Sequence, residues 1–169
     1  MDERFADVLS HLADYGTQHV LLSAAALALG VAISLPLAVL ASRHRRLRLA
    51  VLAVASLVQT IPGLALLALF YPLLLGLSAL TVMLFGTPVP ALGFLPSVLA
   101  LAIYSMLPIL RNGVTGLLGV DTAYLEAADG VGMTRRQKLV RVELPLAAPV
   151  IIAGIRTAMA QLLRFPSYD

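Results

Sequence analysis

Between Asp14 and Asp121 this chain of 169 residues carries no acidic side chain, and its basic residues in that interval are Arg43, Arg45, Arg46, Arg48 and Arg111. A stretch of that length without carboxylates cannot clothe a surface that faces water. Soluble domains carry about a quarter charged residues, whereas here 12% are charged and 60% are hydrophobic. A water-soluble fold of this composition would expose broad apolar patches and associate through them. The distribution calls for lipid as the solvent, where each segment must satisfy its own backbone polar groups and helices do so most directly. The expected fold class is all-α, a polytopic transmembrane helical bundle.

The net charge of +3 does not point to nucleic acid. The basic residues flank apolar runs, as the positive-inside rule requires of cytoplasmic loops, so the partner they imply is membrane lipid. Cysteine is absent, and His11, His19 and His44 are scattered without metal-ligand spacing. No phosphate-cradling glycine loop, H-E-x-x-H or G-x-S-x-G pattern occurs. No catalytic residue, metal or cofactor is therefore expected, and the chain reads as a non-enzyme. Its start, Met1-Asp2-Glu3-Arg4, leads into a polar stretch and then a long apolar run, unlike a secretory signal.

Residues 20–41 are uncharged and long enough to cross the hydrocarbon core as a helix of about 20 residues. The run stops at the arginine cluster, which marks that end as cytoplasmic and puts the N-terminus outside. Residues 1–19, with Phe5, Val8, Leu9 and Leu12 at helical spacing, read as a periplasmic amphipathic lead-in. Residues 113–146 hold the second charged region, with an excess of basic residues from Arg135 to Arg141, and should be cytoplasmic too. The chain must then cross an even number of times in between, and spans are expected at about 48–72 and 93–111. The Gly/Pro-rich stretch from Gly76 to Pro96 would form a periplasmic turn or re-entrant segment. A fourth, short span is expected at 148–163, making residues 20–169 one membrane domain. Arg111 and Arg156 are expected to snorkel to cytoplasmic headgroups.

The most informative segment is Glu126-Ala127-Ala128, three residues, Gly132, nine residues, then Val142-Glu143-Leu144-Pro145. Asp121 can cap a first helix, on which Tyr124, Leu125 and Ala128 would share an apolar face. Gly130 and Gly132 can stop it. Thr134-Arg135-Arg136-Gln137 has the form of a capping box that opens a second helix, which Leu144-Pro145 would end. Such a compact helical hairpin between two spans suits docking into a groove of a soluble partner. The plainer reading is an ordinary amphipathic surface helix pair, which accounts for the caps but not for their place between spans.

Near mid-membrane, Gln59 and Thr60 precede Pro62-Gly63. Polar side chains there are costly unless they pair or face a cavity, and broken helices often line transport sites. Gln59, Thr60 and Pro62 are therefore candidate translocation-path residues. The alternative is a simple helix kink in which Gln59 bonds a neighbouring helix.

The pattern E-A-A-x3-G-x9-[IV]-x-L-P resembles the EAA signature of ABC importer permeases with the MetI-like fold. The resemblance implies that Glu126, Ala127, Ala128, Gly132, Val142, Leu144 and Pro145 couple the permease to a cytoplasmic ABC ATPase subunit. It also implies a periplasmic solute-binding protein, a second permease copy or paralogue, and an inner-membrane location. The stretches Gln59-Thr60-Ile61-Pro62-Gly63, Leu107-Pro108-Ile109-Leu110-Arg111-Asn112 and Gly154-Ile155-Arg156-Thr157-Ala158 are similar to permeases for glycine betaine, choline or carnitine. Members of that family continue beyond the Arg156 segment through further spans, so a C-terminally truncated permease is expected. The competing readings are a non-transporting scaffold or pseudo-subunit, and a permease for another small solute such as an amino acid.

Overall fold

A computed structural model describes residues 3–88 and 93–163, with side chains described from residue 16 onward except at Gly63, Leu64 and Leu67. The chain is all-α, and no strand occurs among the described residues. Its elements are α1 (Glu3–Arg43), α2 (Arg45–Gln59), α3 (Gly63–Phe85), α4 (Phe94–Leu118), α5 (Thr122–Gly130), α6 (Arg135–Lys138), a π turn (Leu139–Glu143) and α7 (Leu144–Leu162). Gly16–Arg43, Ala68–Phe85 and Phe94–Leu118 are long and apolar enough to cross a membrane. The apolar face expected at Phe5, Val8, Leu9 and Leu12 lies outside the described side chains.

Helix α4 is the hub. Half of its apolar window is buried, against 6% for α3, so α3 stands at the periphery, with Leu66 and Leu74 turned inward and Leu69, Leu73, Leu77, Leu80 and Leu84 exposed. Helix α1 runs parallel to α4, with Gly30 packed on Ser105 and Ala38 on Gly113. Helix α7 runs antiparallel, with Ala147 against Gly116 and Gly154 against Pro108 and Asn112. The face that α1 turns to α4 is small throughout: Ser23, Ala26, Gly30, Ser34, Ala38 and Ala41 are all buried. Lipid tails are as apolar as leucine, so burial alone does not drive helices together. Small residues let backbones approach until dispersion contacts do so. Three buried layers stack along the bundle, around Ala26 and Val98, around Ala38 and Leu110, and around Leu117 and Ala147.

Four local expectations differ from this structure. The helix expected over 48–72 is divided, because α2 ends at Gln59 and α3 starts at Gly63. Pro62 lacks an N–H and pushes Ile61 out of the helical region. The stretch expected to turn after Gly76 remains helical to Phe85, and the turn comes at Gly86, whose φ of 73° is left-handed. Glycine is well tolerated inside helices in lipid. Helix α4 runs past residue 111 to Leu118, since Gly113 and Gly116 serve close packing on α1 and α7 rather than a turn.

The fourth difference concerns Pro145, which does not end the second helix of the hairpin. Proline cannot donate to the carbonyl four residues back, and its ring crowds that carbonyl. The ladder widens instead of breaking: the Leu144 N–H donates to the Leu139 carbonyl, five residues back, and α7 follows directly. Helix α6, the π turn and α7 thus form one continuous rod from Arg135 to Leu162, about 40 Å long at 1.5 Å per residue.

Candidate functional site

The hairpin between α4 and α7 is secured at every terminus. Asp121 Oδ1 accepts from the Ala123 N–H at 2.9 Å, which caps α5. At the other end of α5, Gly132 adopts φ 74°. Its N–H donates to the Asp129 carbonyl, and the Met133 N–H donates to the Ala128 carbonyl, both at 3.0 Å. This is the paired Schellman closure. Thr134 and Gln137 then form a reciprocal capping box: the Thr134 N–H donates to Gln137 Oε1 at 2.9 Å, and the Gln137 N–H donates to Thr134 Oγ1 at 3.3 Å. Lys138 Nζ clamps both oxygens of Asp129 at 2.6 and 2.7 Å, tying α6 back to α5.

The signature residues divide between two tasks. Ala128 is buried, and Val142 and Leu144 are half-buried. Leu125, Leu139 and Leu144 rest on the layer of Leu117, Val120, Ala147 and Ile151. Glu126 and Ala127 are exposed on α5 and Pro145 is exposed at the membrane end, while Gly132 makes the turn. Tyr124, expected to share the buried face of α5, is instead 57% exposed. Val131 in the turn and Val140 in the π turn are also exposed, as are Arg135 and Arg136, so the hairpin presents both apolar and basic side chains.

Sequence reasoning missed one residue of this site. Glu143, between Val142 and Leu144, is 2% exposed and forms an ion pair with Arg43 at the end of α1. Its second oxygen, Oε1, is buried without a hydrogen-bond partner. The pair ties the base of the hairpin to the first span. A carboxylate at the mouth of an apolar run was the available signal.

At mid-bundle the three candidate path residues behave differently from one another. Gln59 Nε2 donates to the Tyr104 carbonyl at 3.0 Å and lies 3.4 Å from Gln161 Oε1. The Tyr104 hydroxyl donates back to the Gln59 carbonyl at 3.4 Å. Tyr104 has a free carbonyl because its usual helical donor, four residues on, is Pro108. The Gln59 amide thus replaces the bond that Pro108 removes, which is the neighbour-bonded arrangement weighed against a path role. Thr60 Oγ1 donates to the Leu57 carbonyl at 2.7 Å, and Pro62 is exposed. Gln59→Leu is expected to leave the Tyr104 carbonyl bare and lower stability by about 1–2 kcal/mol. Gln59→Asn, too short to reach, should behave alike; thermal melts in detergent check both.

The family model for "Binding-protein-dependent transport system inner membrane component" matches residues 24–165. The chain is 40% identical over 146 residues to the choline transport system permease protein OpuBB of Bacillus subtilis, covering 86% of this chain and 60% of that protein. The same figures hold for the glycine betaine/carnitine/choline transport system permease protein OpuCB of the same organism. The osmoprotectant import permease protein OsmW of Salmonella typhimurium is 42% identical over 153 residues, covering 90% of this chain and 66% of that one. The chain therefore spans about 60% of the length of the first two relatives. Among solved structures, an inward-facing MetNI methionine ABC transporter matches with a TM-score of 0.71 at 22% identity, over 96% of this chain and 73% of that chain. That likeness establishes the MetI-like fold. With the matching fold, the signature hairpin and a family model spanning most of its length, this chain belongs to the binding-protein-dependent transport system inner membrane components.

Proposed function

We propose that the chain is the membrane-spanning permease subunit of an ABC importer for a small osmoprotectant of the glycine betaine, choline or carnitine class. The observation that carries this reading is the hairpin itself: α5 is capped at both ends and α6 at its start, the two are cross-braced by Asp129–Lys138, and α6 continues into α7. A rigid body of that kind suits the transmission of force. The names of the relatives support the solute class. In this reading Tyr124, Val131 and Val140 dock into a cleft of a cytoplasmic ATPase, Glu126 and Ala127 flank them, and ATP is hydrolysed by that partner. A periplasmic binding protein delivers the solute, and a second permease copy or paralogue completes the pore. Gln59, Thr60 and Pro62 stand at the break between α2 and α3, where the path would narrow. The methionine transporter likeness speaks for fold and not for solute.

Gly132→Val tests the docking. A Cβ at Gly132 would meet nothing within 4 Å, so the whole cost is backbone strain, about 1–3 kcal/mol for a non-glycine residue held left-handed. Opening the Schellman closure is expected to cut co-purification of the ATPase at least tenfold while the permease still inserts. Undiminished co-purification, with stimulated ATPase activity, would count against the docking assignment.

A further inference from the structure

Where α1 turns into α2, a dense cluster of positive charge adjoins an apolar groove. Arg43, Arg45, Arg46 and Arg48 fall within six residues of the chain. Arg43 is engaged by Glu143. Arg45 and Arg46 are exposed, Arg48 is half-buried, and the first turn of α2 carries no acidic residue. The groove, of about 250 Å³, lies between α1, α2 and α4. Helix α2 lines it with Ala50, Val51, Val54, Ala55 and Val58, and every residue that the other two helices add is apolar as well.

The register of α2 joins the two features. From Arg45 the helix turns back along α1, with Val51, Leu52 and Ala55 packed on the layer of Ala38, Ala41 and Leu110. Residues 50, 51, 54, 55 and 58 share one face at three-and-four spacing. Arg46 stands four residues before Ala50 and Arg48 three before Val51, so both side chains leave the helix one turn from the mouth of the groove. From Ala50 to Val58 the helix advances about 12 Å. A cationic rim at the bilayer surface therefore leads into an apolar slot that runs toward the hydrocarbon.

That sequence of surfaces has the polarity of a phospholipid, headgroup first and acyl chain behind. The charge selects among lipids. Guanidinium pairs with phosphate through two parallel hydrogen bonds, and several arginines together favour a headgroup that brings no ammonium of its own. Basic pockets between spans at the membrane surface take anionic headgroups of this kind. We propose that the groove seats one anionic phospholipid, its phosphate on Arg46 and Arg48 with Arg45 beside them and one acyl chain laid between α2 and the Leu37 and Leu110 side of the slot. The seat needs only that α1, α2 and α4 lie in a bilayer, and it is independent of what the chain transports.

A photoactivatable phosphatidylglycerol, with a diazirine in one acyl chain, tests the seat in nanodiscs of phosphatidylcholine that hold the protein. Irradiation followed by peptide mass spectrometry is expected to find the probe on residues 50–58 and 103–110, about tenfold more than a phosphatidylcholine probe with the same chain. Arg46→Gln/Arg48→Gln should bring the two probes level. Val54→Trp alters an exposed lining position and leaves the arginines in place; it should drive both probes out of these peptides. Unlabelled phosphatidylglycerol should displace the probe, whereas dissolved glycerol phosphate should not. Equal labelling by both probes in the unaltered protein would overturn the proposal, and so would displacement by glycerol phosphate, which would mark a free-phosphate site. Bare peptides with both probes would show the slot closed by protein, a second copy included, and would overturn it too. Should the arginine variant fail to insert, about 1 M salt takes its place, since it shortens screening to about 3 Å at exposed charges. A preference for phosphatidylglycerol that survives such salt undiminished would likewise end the proposal.

Discussion

Gly154→Val is expected to part α7 from α4 and to be the most damaging single change in the membrane-embedded bundle. A Cβ at this position would fall 2.6 Å from Asn112 Cβ and 2.8 Å from the Pro108 carbonyl oxygen. The second of these is backbone in the hub helix and cannot rotate aside. The same carbonyl already accepts from Asn112 Nδ2 at 2.8 Å, so the intruding group also displaces that bond. Overpacking typically costs 1–3 kcal/mol and more where backbone is in the way. The expected penalty is about 3 kcal/mol, a fall in melting temperature of roughly 6–12 °C for a chain this size. Gly154→Ala should lie part of the way there. A melt of the valine variant within about 2 °C of the parent would show that the helices are farther apart than described.

Arg43→Ala should come close to it, and the larger lesson is in the asymmetry with its partner. Glu143 is buried and half-satisfied already, whereas the Arg43 side chain is 47% exposed. Removing the arginine strands a buried carboxylate with neither oxygen paired. Breaking a fully buried pair in this way costs about 3–5 kcal/mol. The exposure of Arg43 lets water in and brings the expectation to the low end, near 3 kcal/mol. Removing the acid instead frees an arginine that water can solvate, so Glu143→Gln should cost about 1 kcal/mol or less. The double variant Arg43→Ala/Glu143→Leu should recover most of the loss, because an apolar pair needs no partner. Hydrogen exchange of amides 139–144 and thermal melts would read all three. Equal penalties for the two single variants would show that the carboxylate is wetter than its burial implies.

Much of the hairpin was legible in the sequence because capping is local chemistry. Asp121 before a helix, Gly132 after it and Thr134 three residues ahead of Gln137 each name their own hydrogen bonds. Lipid as solvent was legible from the missing carboxylates alone. Other features depended on pairing across distance. The amide of Gln59 and the carbonyl freed by Pro108 are 45 residues apart in the chain, and Arg43 and Glu143 are separated by 100. A break or kink at Pro62 was legible, because proline disrupts the residue before it, but the continuation of α3 to Phe85 was hidden by Gly76, which read as the start of a turn. The small residues of α1 from Ser23 to Ala41 recur every three or four positions, a repeat that went unread in the sequence. Composition flattened them into the general alanine and leucine bias of the run.

The widened turn at Leu139–Glu143 has a consequence for how torque travels. One extra residue in the ladder offsets everything downstream by about 100° around the axis. The sides that Arg135 and Arg156 present are therefore not those an even winding would give. With no hinge between those two residues, twisting at one end must reappear at the other, except where the ladder is already slack. The tie from Arg43 meets the rod at Glu143, the last residue of that turn, and so fastens the widened place to α1.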